Sequence, residues 1–147
     1  MQIVKSTFDI TNTTFDQTIK YSEEVRYFTD IQGINPIPTD SIIHKTVTGI
    51  GATHSEIVAH RHSIIVLPHI AIIKSKDEHY RNEGINIFAI HGEVTQADIM
   101  DYLSTHQDHY KFLVTPKGLV KLIKITQCRS LDYLLSCLGY TVVCLSR

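Results

Sequence analysis

The feature that most constrains the fold of this chain is the alternation of short apolar runs with segments that can form helices. The runs are rich in Ile and Val and show no apolar–polar alternation, as expected for strands that are buried on both faces of a sheet. They predict strands at residues 42–48, 63–67, 85–90, 111–115 and 140–145. Because helical segments separate the strands, we predict a three-layer α/β domain with a mainly parallel sheet of about five strands.

The segments between the strands have apolar residues at helical spacing. They predict helices at residues 53–60, 69–81, 95–106 and 117–125, and a further short helix at 131–138. Thr95 is a suitable N-cap, and Asp98 three positions later makes an acidic variant of the capping box. Right-handed crossovers place the carboxyl ends of parallel strands at one edge of a sheet, where ligands bind. We therefore expect a functional site among the residues that follow the strands.

The first 40 residues lack this repeating pattern, and we interpret them as an N-terminal arm that leads into a domain formed by residues 41–147. Apolar residues between positions 15 and 31 have roughly helical spacing, which predicts a helix there. Two prolines and a glycine within residues 32–40 predict a loop or linker.

Composition narrows the classes of function. The net charge of −1 excludes a global attraction to nucleic acid but allows a local basic face. Three cysteines without a C-x-x-C spacing indicate reduced thiols in a cytoplasmic protein. No apolar run reaches the ~18–20 residues of a membrane helix, and no signal peptide is visible, so we expect no membrane partner.

A glycine-rich turn between a predicted strand and a predicted helix is the main candidate for a ligand site. Backbone N–H groups of such a turn converge on an anion, and the helix N-terminus adds partial positive charge. The predicted nucleotide-binding residues are Thr48, Gly49, Ile50, Gly51, Ala52, Thr53 and His54. Thr53 occupies the position of a magnesium ligand, whereas Ala52 replaces the phosphate-binding lysine. Lys45 is a substitute for that lysine only if the strand ends early. The alternative is a tight turn that only connects two elements.

Four segments of the chain together resemble superfamily 2 helicases. TVTGIGAT is similar to their phosphate loop, A-x-T-G-x-G-K-T, and IIVLP is similar to the second motif, where a strand ends in proline. IHGE resembles the glycine element after the third strand, and FLVTPKGLVKLI resembles the Thr-Pro motif after the fourth. The segments follow the family order from about residue 41 to about residue 125. The loop is also similar to the T-G-x-G-A-T loop of degenerate helicase-like proteins of gut bacteria and their phages.

The resemblance implies a RecA-like P-loop domain, a single N-terminal helicase lobe, with ATP and Mg²⁺ as cofactors and single-stranded or duplex nucleic acid as partner. It implies nucleic-acid contacts at Pro68, Thr115, Pro116, Lys117, Lys121 and Lys124. The last three residues recur at spacings of four and three, which places them on one helix face. With Lys111 they form a predicted basic stripe around the Thr-Pro element. The alternative interpretation of this stripe is a solvated surface without a ligand.

Departures from the helicase pattern argue against catalysis. The family requires an Asp-Glu pair after the fifth strand, but YTVVCL is followed by Ser146 and Arg147. Without this pair and the lysine, phosphoryl transfer loses most of its electrostatic stabilisation. We predict no catalytic residues and doubt ATP hydrolysis. The alternative function is a non-enzymatic structural or protein-interaction module, derived from a phage or mobile element.

Nine histidines suggest a third hypothesis, a metal-dependent hydrolase, although no H-E-x-x-H motif or Cys/His cluster is present. His60 and His62 form the only close pair, whereas His54, His69 and His91 lie near the predicted ligand edge. Solvated or hydrogen-bonded histidines are the more ordinary interpretation.

Overall fold

The chain divides into two compact units between Ala59 and His60. The computed structural model describes residues 2–4, 17–20, 22, 24–31, 34, 37, 42–44, 49–105, 108–126 and 141–144. Its contacts divide the chain into one unit of Met1–Ala59 and a second unit of His60–Ser146. The division therefore lies after residue 59, whereas the sequence predicts the end of an arm at residue 40.

The first unit contains an antiparallel sheet of three short strands. These are β1 (Gln2–Val4), β2 (Gln17–Thr18) and β3 (Ile42–His44), in the order β2-β1-β3. Ile3 of β1 lies opposite Ile43 of β3 in the register. A short 3-10 helix, Phe28–Asp30, and helix α1, Ala52–Val58, complete the elements of this unit.

Two predictions for the first unit are wrong. The strand predicted at 42–48 does not begin the parallel sheet, because β3 pairs antiparallel with β1 instead. The helix predicted within residues 15–31 is replaced in the described residues by β2 and by the 3-10 helix. For β2 and β3 the physical cause is the same, since pairing with another strand can outweigh local spacing and cannot be read from periodicity. The 32–40 linker lies largely outside the described residues.

The second unit is built on a parallel sheet. Its strands are β4 (Ser63–Val66), β5 (Phe88–Ile90), β6 (Lys111–Val114) and β7 (Thr141–Cys144), in the order β5-β6-β4-β7. Every neighbouring pair is parallel and in register, so that Val66, Ile90 and Cys144 lie level with the carboxyl end of β6. Among the described residues the sheet therefore has four strands rather than the predicted five or so, because the first predicted strand belongs to the other unit.

Three helices connect these strands: α2 (Ile70–Asn82), α3 (Gln96–Ser104) and α4 (Pro116–Thr126). All three were predicted, and the Thr95–Asp98 capping box at the start of α3 is confirmed. The predicted helix at 131–138 lies outside the described residues. No helix in the described part of the chain is long and apolar enough to cross a membrane.

The two faces of the sheet are covered by different helices. One core cluster joins alternate strand residues with buried side chains of α3 and α4, such as Phe112 with Ile99 and Leu122. The intervening strand residues Ile65 and Leu113 are also buried and point to the opposite face. Helix α2 contacts β5 and β6 and buries Ile73 and Tyr80. The second unit is thus an α/β layered structure with α2 on one face and α3 and α4 on the other.

Candidate functional site

The carboxyl ends of β4 and β6 bound a groove at the edge where the sequence predicts ligand binding. Its lining residues are Pro68, His69, Ile70, Thr115, Pro116 and Lys117, and it is open to solvent with a volume of about 420 Å³. We call it the carboxyl-edge groove. Four of the six predicted nucleic-acid contacts, Pro68, Thr115, Pro116 and Lys117, line it together. Residues 48 apart in sequence meet because β4 and β6 are adjacent parallel strands.

The groove lies where the chain turns to opposite faces of the sheet. β5, the strand that follows β4 in the chain, lies beyond β6 at one edge of the sheet. β7, the strand that follows β6, lies beyond β4 at the opposite edge. Right-handed connections send the two helices that leave these strands to opposite faces. A crevice therefore opens between neighbouring strand ends, which is the usual position of a ligand in an open α/β sheet.

The residues around Thr115 favour the start of a helix. The hydroxyl of Thr115 accepts a hydrogen bond from the amide of Gly118 at 3.0 Å, as an N-cap does for the third residue of a helix. Pro116 occupies the first helical position, where its missing N–H costs nothing. The Thr-Pro motif thus has a structural role as the start of α4, in addition to lining the carboxyl-edge groove.

The predicted basic stripe does not form a single surface. Lys117 is exposed at the groove, but the ammonium of Lys121 donates to the carbonyl oxygen of Val94 in the loop before α3. Lys111 is 3% exposed, and its Nζ donates to Ser63 Oγ at 2.9 Å. Lys111 lies at the amino end of β6, at the opposite edge of the sheet from the groove. Lys124 is exposed on the last turn of α4.

The groove carries positive rather than negative charge. Its polar side chains are those of His69, Thr115 and Lys117, and its lining residues include no Asp or Glu. Helices α2 and α4 both begin at it. No side chain caps α2, whereas at the start of α4 Pro116 has no N–H and the amide of Gly118 is bonded to Thr115 Oγ1. The positive ends of two helix dipoles therefore coincide with the lysine, an arrangement suited to an anion.

The predicted nucleotide loop belongs to the first unit and not to the parallel sheet. Gly49 and Gly51 both have left-handed φ angles, +78° and +81°, which favour glycine. Gly51 is the N-cap of α1, and no side chain caps this helix. Ala52 is buried, Thr53 is half-buried and His54 is exposed. Thr48 and Lys45 lie outside the described residues.

A neighbouring segment of the first unit packs against this loop. The amide of Phe28 donates to the carbonyl oxygen of Ile50 at 2.5 Å, and both side chains are buried. A Cβ added to Gly51 would lie 3.9 Å from Cδ1 of Tyr27. The turn is therefore held by contacts within the first unit that need no phosphate, as a turn that only connects two elements would be.

The histidines are distributed between separate environments. His69 lines the groove, whereas His60, His62 and His109 gather at the amino ends of β4 and β6, with ring centroids 5.6 Å and 5.8 Å from His109. No set of three His, Cys, Asp or Glu residues within the described ranges is arranged to hold a metal ion. The Nδ1 atom of His62 also accepts the amide hydrogen of Tyr110 at 3.0 Å, which places the ring proton on Nε2.

Sequence reasoning missed two features of the second unit. Ile70 contributes an apolar wall to the groove, and its position one residue after His69 at the start of a helix gave no distinguishing signal. The sequence predicts Lys111 as part of the basic stripe, but its side chain is buried. Comparison of the chain with protein-family models, with characterised proteins and with solved structures finds no match.

Proposed function

We propose that this chain is a helicase-like, RecA-type module that binds the phosphate backbone of nucleic acid at the carboxyl-edge groove and does not hydrolyse nucleotide. The observation that carries the proposal is the meeting of Pro68, Thr115, Pro116 and Lys117 in one groove at the switch point of the sheet. These are the residues that the helicase resemblance implies for contact with nucleic acid.

The chemistry of the groove suits a phosphodiester. Lys117 supplies a full positive charge, the N-termini of α2 and α4 supply partial charges, and the uncapped start of α2 supplies backbone donors. The apolar walls formed by Pro68, Ile70 and Pro116 can pack against a sugar or a base. With one lysine in the groove, binding is expected to be weak and strongly dependent on salt.

Loss of catalysis follows from the missing charged groups. Ala52 removes the lysine of the loop, and no apolar strand of the sequence runs directly into an Asp-Glu pair. Asp77, the first residue of the chain's single Asp-Glu dipeptide, lies inside α2 and pairs with Arg81 at 2.9 Å. A site without a cation at the γ-phosphate and without an acid to orient water gives little stabilisation of the transition state.

Fluorescence anisotropy with labelled single-stranded and duplex oligonucleotides tests the nucleic-acid proposal. Lys117→Glu should weaken binding by about five- to ten-fold and lower the salt slope by about one, because it removes one phosphate contact and adds a repulsive charge. Lys20→Glu is the matched control, since Lys20 is an exposed lysine in the other unit. Equal binding by both variants and the wild type would exclude the groove as the contact surface.

Nucleotide binding at Gly49–His54 is a separate part of the proposal. Two left-handed glycines followed by Thr53 at the start of α1 support it, and Ala52 weighs against it. Calorimetry with ATP and Mg²⁺ on the wild type and on Gly51→Val is the direct test. No heat from the wild type at roughly millimolar nucleotide, about −4 kcal/mol of affinity, would reject nucleotide binding while leaving the groove proposal intact.

A protein-interaction module is the second candidate. Val120 and Ile123 of α4 are 52% and 43% exposed, and their spacing of three places them on one side of the helix. A pull-down with the wild type and with a Val120→Ser, Ile123→Ser double variant tests this function. It predicts a partner that is lost with the double variant, kept with Lys117→Glu and insensitive to nucleotide.

A further inference from the structure

We propose that His62 is an acid-sensitive clamp, which holds the start of β6 in place while its ring is neutral and releases it when the ring is protonated. The proposal concerns the amino-terminal edge of the sheet and is independent of the carboxyl-edge groove. It is carried by the position of His62 among His60, His109, Tyr110 and Lys111.

The clamp is a hydrogen bond from backbone to side chain. The amide of Tyr110 donates to Nδ1 of His62 at 3.0 Å, and the two rings stack with centroids 5.5 Å apart. Only a neutral ring has a lone pair on Nδ1 to accept this hydrogen. Protonation places a second N–H against the amide, so the bond cannot survive in the imidazolium form.

The surroundings of His62 make protonation unfavourable in the folded chain. Its ring centroid lies 5.8 Å from that of His109, which in turn lies 5.6 Å from that of His60. Lys111 follows Tyr110 and is almost completely buried, with Nζ on Ser63 Oγ. Burial first, and then the charges of His109 and Lys111, hold the pKa of His62 below its ordinary value.

Other titratable groups also lie around this edge of the sheet. From α3 the neighbouring titratable group is Tyr102, whose hydroxyl bonds the backbone of Lys111. On the same segment as His62, Arg61 adds a further cation, and its carbonyl accepts from the Ser63 hydroxyl at 3.5 Å. Asp108, which precedes His109, is exposed to solvent. A proton on His62 therefore meets the repulsive charges of His109 and Lys111.

Loss of the hydrogen bond between His62 and Tyr110 would weaken the centre of the sheet. β6 lies between β5 and β4, and the carbonyl of Tyr110 accepts the amide of Ser63 at 2.9 Å as β4 begins. The bond to His62 fixes the residue immediately before Lys111, the first residue of β6. Acid should therefore loosen the first residues of β6 before it affects helix α2, which contains none of these contacts.

The sign of the pH effect follows from linkage. A histidine whose pKa in the folded state lies below its unfolded value of about 6.5 binds more protons in the unfolded state than in the folded state. Its contribution is complete above about pH 6.5 and is lost as the pH falls below that value. Local protection at Tyr110 should fall by up to about ten-fold between about pH 7.5 and about pH 5.5, after correction for intrinsic exchange.

Amide hydrogen exchange of the full chain, resolved by NMR, is the first test. The expected result is a loss of protection at Tyr110 and Lys111 that exceeds the loss at Ile73, whose amide bonds His69 within the start of α2. In His62→Asn the side-chain oxygen can accept the same amide and does not titrate, so the excess loss should disappear. Equal loss at Tyr110 and Ile73 in the wild type would overturn the clamp.

A second measurement decides the matter even if His62→Asn fails to fold. The NMR titration midpoint of His62 should lie below the ordinary histidine value of about 6.5, and His109→Asn should raise it by removing a like charge. His79→Asn is the control, because His79 is exposed on α2 and bonds Glu83 at 3.3 Å. An ordinary midpoint for His62 in the wild type, unchanged in His109→Asn, would refute the proposal.

Discussion

The hydroxyl oxygen of Tyr102 lies 3.1 Å from the amide nitrogen of Lys111, and it accepts that amide hydrogen while the hydroxyl's own proton can reach the carbonyl oxygen of Lys111 at 3.2 Å. A second carbonyl, that of Asn86 before β5, lies 3.3 Å from the same hydroxyl. One side chain of α3 thus bonds the backbone at the amino end of β6 and also lies within hydrogen-bond distance of the segment before β5.

Replacing this hydroxyl should lower the stability of the second unit. Tyr102→Phe keeps the ring that stacks on Phe88 but leaves the buried amide of Lys111 without its acceptor. We expect a loss of about 1–3 kcal/mol in the free energy of unfolding, measured by urea denaturation. Tyr27→Phe removes a hydroxyl from a residue that is 60% exposed and should change stability by less than about 0.5 kcal/mol. Equal effects of the two variants would contradict this role.

Gly118 occupies a position where any side chain would be crowded. A Cβ added there would lie 3.0 Å from the carbonyl oxygen of Ile90 and 3.3 Å from Thr115 Oγ1. Alanine normally favours a helix over glycine by about 1 kcal/mol, so Gly118→Ala would be stabilising if only propensity mattered. We expect the opposite, a destabilisation of about 1–2 kcal/mol, because α4 must move away from the end of β5.

The matched control for this variant is Gly92→Ala. Gly92 follows the same strand, and a Cβ at this position meets no atom within 4 Å. Its melting temperature should stay close to that of the wild type. If Gly118→Ala is more stable than the wild type, then α4 can shift without cost. The close approach of α4 to β5 would then not explain why glycine occupies position 118.

The sequence predicts the second unit well because its elements are specified locally. The runs at 63–67 and 111–115 have apolar centres, residues 64–67 and 112–114, and each is followed by a helix. The Thr95–Asp98 pair marks the beginning of α3 without any tertiary information. The first unit is different, since β3 pairs with a strand about 40 residues earlier and nothing local to residues 42–44 reveals that partner.

The candidate site was predicted in part for the same reason. Strand ends in a parallel sheet must share an edge, so Pro68 and Thr115 could be placed together from sequence. The hydrogen-bond partners of individual lysines could not be predicted from sequence, because they depend on which carbonyl or hydroxyl lies within reach of a long side chain. Lys121 bonds Val94 and Lys111 bonds Ser63, and neither partner is close in sequence.

The structural and binding roles of Thr115 can be separated by two substitutions. Thr115→Ala removes the N-cap of α4 and should cost about 1 kcal/mol of stability, measured by urea denaturation, whereas Thr115→Ser keeps the hydroxyl and should be close to neutral. If Thr115 also contacts a phosphate, Thr115→Ser should retain oligonucleotide affinity that Thr115→Ala loses. Full affinity in a folded Thr115→Ala would limit this residue to its role as a cap.

The capping box of α3 should make stability depend on acid. Hydrogen bonds from the side chain and then the backbone of Thr95, together with the charge of Lys121, hold the pKa of Asp98 below its usual value. A depressed carboxyl pKa contributes stability above the unfolded value of about 3.9, and this contribution is lost as the pH falls through the folded pKa. The melting temperature of the wild type should therefore fall on acidification below about pH 4.

Asp98→Asn should reduce the fall in melting temperature below about pH 4, because an amide oxygen can still accept the amide hydrogen of Thr95 but does not titrate. The comparison is with Asp101→Asn, which removes one exposed carboxylate from the same helix and lies outside the capping box. Thermal unfolding followed by circular dichroism from about pH 6 to about pH 3 measures all three proteins. Identical acid slopes for the wild type and Asp98→Asn would mean that the box contributes nothing to the acid sensitivity of the fold.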